Sequence, residues 1–153
     1  MITAHHAGYV VDASVLVKWF LQEKEADRDR VLALRDLHIS GRSKIFAPRL
    51  ALLEVLNAIC SNPKADEETG EAVLEALQDL HLEIRAGDTD VLRKANAIAW
   101  AYKITIYDAL YVALAEMVGF PLITADDSML KKLKGHSIVV PLRELEFKTE
   151  RSI

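Results

Sequence analysis

Short apolar runs alternate with longer amphipathic stretches, and this alternation sets the first expectations. Tyr9, Val10 and Val11 make a brief strand that stops at Asp12. From Ser14 the spacing turns helical, with Val15, Leu16, Trp19 and Phe20 in register. A charged patch at 23–30 leads into a second helix marked by Val31, Leu32, Leu34 and Leu37, with Gly41 as its C-terminal glycine. Ile45, Phe46 and Ala47 predict another strand, and Pro48 suits the first turn of the helix that follows. That helix, over 49–61, is apolar nearly all round and is expected to lie inside the protein. Asn62 and Pro63 end it.

The second half repeats the theme. An amphipathic helix is predicted over 66–80, a short strand over 82–84, and a helix running from an Asp88 cap to Tyr102. A further apolar helix spans about 107–118 and closes at Gly119. Leu122, Ile123 and Thr124 form the next strand, followed by the polar turn 125–128 and a basic helix over 129–134 that ends at Gly135. A last strand is expected over 138–140. Strands without polar alternation, separated by helices, define an α/β domain with a central, mostly parallel five-stranded sheet flanked by helices on both faces. No repeat or linker divides the chain. We expect one domain over 9–147, a flexible leader at 1–8 and a tail at 148–153.

Composition narrows the class. At 153 residues, 51% hydrophobic and 27% charged with 4 Pro and 6 Gly, the chain is neither disordered nor low in complexity. The single cysteine, Cys60, excludes an intramolecular disulfide and a cysteine zinc cluster, and reads as a small core residue. Trp19, Phe20, Leu21 and Trp100 read as core or dimer contacts. No apolar run reaches the roughly 18 residues of a membrane span, and 1–8 lacks signal-peptide character, so a cytoplasmic protein without membrane attachment is expected. The five histidines are scattered, which suggests neither a histidine metal site nor a triad, and there is no glycine-rich phosphate loop. With 19 Lys+Arg against 23 Asp+Glu, the net charge is -4. General electrostatic attraction to nucleic acid is therefore weak, and any such contact must be local or made through metal ions.

The placement of the acids is more informative than their number. In an open parallel sheet the ligand crevice lies beyond the C-terminal strand ends, at a switch in strand order. Two predicted strands end in acids, Asp12 and Asp126. Helix capping accounts for either one alone, but Asp127 and Ser128 are equally good caps and would leave Asp126 for other work. Glu54 lies in the most apolar helix and shares a polar stripe with Asn57 and Ser61. An unpaired carboxylate there is costly, and an ion pair with Arg49 or Arg85 is the structural alternative. Asp108 stands in the first turn of a second apolar helix, where the helix dipole alone would favour an acid. Taken jointly, four carboxylates in a partly buried crevice require cations. Four charges balance two divalent ions, and an all-oxygen donor set selects Mg²⁺ or Mn²⁺ over zinc.

The segments Val11-Asp12-Ala13-Ser14-Val15, Leu53-Glu54-Val55-Leu56-Asn57, Ile106-Tyr107-Asp108-Ala109-Leu110-Tyr111 and Leu122-Ile123-Thr124-Ala125-Asp126 together resemble the four acidic motifs of PIN-domain nucleases. The likeness is greatest to the VapC-type toxins of toxin-antitoxin pairs, and it extends from Tyr9 to about Leu145. It implies a metal-dependent endoribonuclease in which Asp12, Glu54, Asp108 and Asp126 are the catalytic metal ligands. Ser14 and Thr124 match supporting hydroxyl residues, Asn57 shares the Glu54 stripe, and Asp127 could join as an outer acid. It further implies homodimers and inhibition by a small cognate antitoxin. Two divalent ions in such a cluster would activate water and assist the leaving 3′ oxygen, giving 5′-phosphate ends on RNA. Arg49, Lys131 and Lys132 are candidate RNA contacts, although with Lys134 the last two also read as a solvated basic helix face. Two competing readings are a non-catalytic PIN scaffold for protein binding, and a phosphatase of the haloacid-dehalogenase type. The latter needs an aspartate where Ser14 stands.

Overall fold

A computed structural model describes residues 2–3, 6–21 and 25–147. Its centre is a five-stranded sheet of β2 (Gly8–Val11), β3 (Lys44–Pro48), β4 (Glu83–Arg85), β5 (Leu122–Thr124) and β6 (Val139–Pro141). The order is β4-β3-β2-β5-β6, and every pairing is parallel. All four residues of β2 and all three of β5 are buried, the pattern of strands covered on both faces. A separate two-residue strand, β1 (Ile2–Thr3), pairs in parallel with β7 (Leu145–Glu146).

The helices are α1 (Ala13–Leu16), α2 (Glu25–Ile39), α3 (Leu50–Cys60), α4 (Glu67–Asp79), α5 (Thr89–Tyr102), α6 (Ile106–Val118) and α7 (Asp127–Lys132). Their ends follow local chemistry. Asp66 and Thr69 form a capping box at α4, Asp88 accepts from the Val91 N–H at α5, and Thr105 accepts from the Asp108 N–H at α6. Gly119 closes α6 in the left-handed region at φ 75°. The α6 helix packs across β2, β3 and β5, and five consecutive residues from Tyr111 to Ala115 are buried in the core.

Several expectations need correction. Pro48 is not a helix-start residue: it is the last residue of β3, opposite Arg85 of β4. Residues 25–30 of the charged patch already belong to α2. Gly8, expected in the leader, opens β2, where an added Cβ would lie 2.7 Å from the Phe120 ring. The α3 helix is not apolar inside all round, because Leu53 is 64% exposed while only Ala51, Val55 and Ile59 are buried. Cys60 is exposed rather than a core residue, and Trp100 is 81% exposed. Trp19, by contrast, packs on the core and donates its indole N–H to the Val31 carbonyl at 2.8 Å. The tail at 148–153 and most of 1–5 lie outside the described residues. No helix among the described residues is long and apolar enough to cross a membrane.

Candidate active site

The strand order reverses at β2, with β3 on one side and β5 on the other, so the C-terminal edge of β2 and β5 is the expected crevice. Asp12 follows β2 directly, and Asp126 stands two residues beyond β5. Both are N-caps: Asp12 Oδ1 accepts from the Val15 N–H at 3.3 Å, and Asp126 Oδ1 from the Met129 N–H at 3.1 Å. Asp126 is therefore not released from capping by Asp127 and Ser128, because α7 begins at Asp127. A cap needs only one carboxylate oxygen, so capping and ligation are compatible in one residue.

Asp12 is 4% exposed and the most constrained of the four acids. Ser14 Oγ donates to its Oδ1 at 2.5 Å, and Thr124 Oγ1 donates to its Oδ2. These hydroxyls are themselves oriented: Ser14 Oγ accepts from the Ala125 N–H at 3.0 Å, and Thr124 Oγ1 from the Asp126 N–H at 3.1 Å. The β5–α7 turn is thereby tied to Asp12 through both hydroxyls. Burial pushes the Asp12 carboxyl up to about 6, against the opposing pull of Ser14, Thr124 and the Val15 N–H, and Asp126 adds repulsion.

Glu54 and Asp108 complete the group. Tyr111, one turn along α6 from Asp108, donates its hydroxyl to Glu54 Oε1 at 3.0 Å. Burial raises the Glu54 carboxyl, the Tyr111 hydrogen bond opposes this, and Asp108 and Asp126 raise it further. Burial and the Asp126 charge raise Asp108, while Thr105 and Lys132 lower it. Asp12, Glu54 and Asp108 are thus each raised by at least one neighbouring acid. The ion pairs among the described residues engage Asp27, Asp36, Glu83, Glu116 and Asp127, and none of these four. The structural alternative for Glu54 does not hold: Arg85 pairs with Glu83 at 3.5 Å and stacks 5.3 Å from the Phe46 ring centroid.

Glu54 and Asp126 line a cleft of about 380 Å³ together with Ser14, Lys18 and Ala58. Among the described residues no three His, Cys, Asp or Glu side chains converge closely enough to cage an ion on their own. Glu54 and Asp126 line this cleft, while Asp12 and Asp108 do not line it and are coupled to it through the charge of Asp126. Their chemistry nonetheless fits a hard divalent cation: oxygen donors only, mutually repelling, partly buried and, among the described residues, without a basic side chain within ion-pair distance.

The remaining candidates separate clearly. Ser14 and Thr124 both hydrogen-bond Asp12. Asn57 is exposed and does not line the cleft, where Ala58 stands instead, because one helical residue turns the side chain by about 100°. Asp127 is directed to solvent, with its side chain 89% exposed and paired to Arg143 Nη1 at 3.2 Å. Lys132 lies close enough to act on Asp108; Lys131 lines a different cleft, and Arg49 is an exposed residue at the start of α3. Tyr111 and Lys18 were not among the expected site residues. The spacing of Tyr111 three residues after Asp108 is the signal that could have found it.

The parallel sheet covered by helices defines an α/β domain in which acids follow the C-terminal ends of β2 and β5 at the switch in strand order. Residues 9–135 match the model of the PIN domain, and the chain belongs to that family. Ribonuclease VapC3 of Pyrobaculum aerophilum is 28% identical over 127 residues, covering 80% of this chain and 92% of that protein. A toxin-antitoxin complex from Klebsiella pneumoniae superposes with a TM-score of 0.67 at 18% identity, covering 88% of this chain and 97% of that one. DNA-bound VapBC from Salmonella typhimurium gives 0.64 at 14% identity, covering 90% and 99%. These two likenesses establish a shared fold.

Proposed function

We propose that this chain is a VapC-type endoribonuclease that hydrolyses RNA phosphodiester bonds with Mg²⁺ or Mn²⁺ held by Asp12, Glu54, Asp108 and Asp126. A small antitoxin protein is its inhibitor and a homodimer its working form. The observation that carries the reading is the pre-oriented, buried Asp12 carboxylate, coupled to Asp126 and through it to Glu54 and Asp108, none of which makes an ion pair among the described residues. Membership of the PIN family and the likeness to a protein named as a ribonuclease support the same conclusion.

Divalent ions bound there would supply Lewis-acid activation of water and neutralise the phosphate. The chain's own groups prepare for this. Ser14 and Thr124 fix both oxygens of Asp12 in advance, so ligation does not require ordering that side chain. Tyr111 favours the charged form of Glu54 by donating a hydrogen bond to Oε1, and Lys132 favours that of Asp108 by its positive charge, each against the effect of burial. Lys18, on the cleft wall, pairs with Asp27 at 3.8 Å and brings positive charge to the crevice mouth.

Incubation of the purified chain with single-stranded RNA tests the proposal. Cleavage is expected with Mg²⁺ or Mn²⁺, to stop on chelation, and to be lost in Asp12→Asn while the circular dichroism spectrum is retained. Equal cleavage by wild type and Asp12→Asn would remove the assigned site.

A further inference from the structure

A second cleft, of about 430 Å³, lies between α7 and the segment that follows β6. Its charged lining consists of Lys131, Lys134, His136 and Arg143 with Asp127 and Glu144. Asp127, Lys131 and Lys134 are spaced at i, i+4 and i+7, which brings them to one side of α7 and the turn after it. Lys132 does not line this cleft and acts instead on Asp108. The basic segment after Asp126 therefore serves two places, one cation for the crevice and two for the neighbouring cleft.

We propose that this cleft grips the phosphates of single-stranded RNA flanking the bond in the acidic crevice, with Lys131, Lys134 and Arg143 as the phosphate contacts. The inference rests on the ribonuclease reading for the identity of the polyanion. The chain carries a net charge of -4, so its hold on RNA has to be local, and this cleft, whose lining begins at Asp127 beside Asp126, gathers the three cations Lys131, Lys134 and Arg143 against the two acids Asp127 and Glu144. Arg143 is the key group, because its guanidinium can take a phosphate in bidentate fashion. It now pairs with Asp127 across 3.2 Å, with side-chain exposures of 60% and 89%. A pair that open to water is held weakly and can be exchanged for a phosphate. Asp127 is thus a competitor of RNA for Arg143. His136 has a structural role: its Nδ1 accepts from the Ile138 N–H at 3.3 Å and its Nε2 lies 3.0 Å from Glu116 Oε1.

The test is fluorescence anisotropy of a labelled single-stranded RNA with the full chain in Ca²⁺, over a range of salt concentrations. Arg143→Gln, Lys131→Gln and Lys134→Gln should each weaken binding several-fold and reduce the slope of log K against log salt by about 0.7. Asp127→Asn should tighten binding, a gain that misfolding cannot imitate. Arg93→Gln, an exposed cation on α5, should leave affinity and slope as in wild type. If the wild type cuts RNA while the three glutamine variants and Asp127→Asn bind as it does, the cleft proposal is overturned and the ribonuclease reading stands. Binding that responds as predicted in a chain that never cuts RNA supports the cleft and overturns the hydrolytic reading. Loss of affinity for an acidic peptide but not for RNA in the same variants assigns the cleft to a protein partner and overturns it.

Discussion

Asp12→Asn should change stability in a way that reverses with pH. In the fold the Asp12 carboxyl titrates at about 6, against an ordinary 3.8, because it is buried. At about 1.4 kcal/mol per pKa unit, the ionised form is disfavoured by roughly 3 kcal/mol. The folded pKa is the raised one, so the stability at issue is fully present below pH 3.8 and is lost as pH rises through about 6. Asparagine avoids this loss but offers one amide N–H₂ where an acceptor stood. The Thr124 hydroxyl must then turn, and Met129 Sδ at 3.9 Å is available to receive it, at a cost of about 1 kcal/mol. Urea unfolding in EDTA should therefore find the variant less stable than wild type by roughly 0.5 kcal/mol at pH 4 and more stable by roughly 2 kcal/mol at pH 8. Millimolar Mn²⁺ at pH 8 should stabilise wild type and not the variant. A difference that stays constant from pH 4 to pH 8, or a variant that is weaker throughout, would refute the reasoning.

Three further outcomes are expected. Tyr111→Phe removes the hydroxyl that lowers Glu54; its carboxyl then rises further, so the acid limb of the RNA-cleavage pH profile should move to higher pH, with stability changed by only about 1 kcal/mol. Thr124→Val keeps the shape but leaves Asp12 Oδ2 and the Asp126 N–H without their shared partner; chemical unfolding should show a loss of about 1–3 kcal/mol and Thr124→Ser should recover most of it. Gly8→Ala forces a Cβ to within 2.7 Å of Phe120 and 2.9 Å of Phe46; thermal melting should reveal about 1–3 kcal/mol of destabilisation, with RNA cleavage below the transition unchanged.

The parts of this fold legible in the sequence are those governed by short-range physics. Apolar runs ended by Asp12 and by Thr124-Ala125-Asp126 identified two strands, because a buried parallel strand needs an unbroken apolar run; that they are neighbours sharing one edge is seen in the structure. Asp88 and Gly119 marked helix ends through capping and left-handed backbone. What was missed depends on distant partners. Pro48 extends β3 because Arg85 lies opposite it, which no local signal encodes. The pairing of Ile2–Thr3 with Leu145–Glu146 joins opposite ends of the chain through two residues each. Leu53 looked internal by the helix it stands in, and Trp100 is outside the core, which leaves only the dimer-contact half of its reading; hydrophobic residues are often exposed singly. For the candidate site, the four acids stood out by their positions and by the family resemblance, whereas Asn57 and Asp127 could not be sorted without knowing how their helices are rotated. Asp126 shows a subtler point: treating capping and ligation as rivals overlooked that a carboxylate has two oxygens.

The central claim is that Asp12, Glu54, Asp108 and Asp126 form one divalent-cation site. Diffraction from crystals of the wild-type chain grown with millimolar Mn²⁺, with data collected at the manganese edge, tests it most directly. The account predicts an anomalous peak in the crevice, ligated by Asp12 and at least one of the other three carboxylates, and absent in Asp12→Asn. A crevice without manganese density, or manganese bound only elsewhere on the molecule, would contradict it.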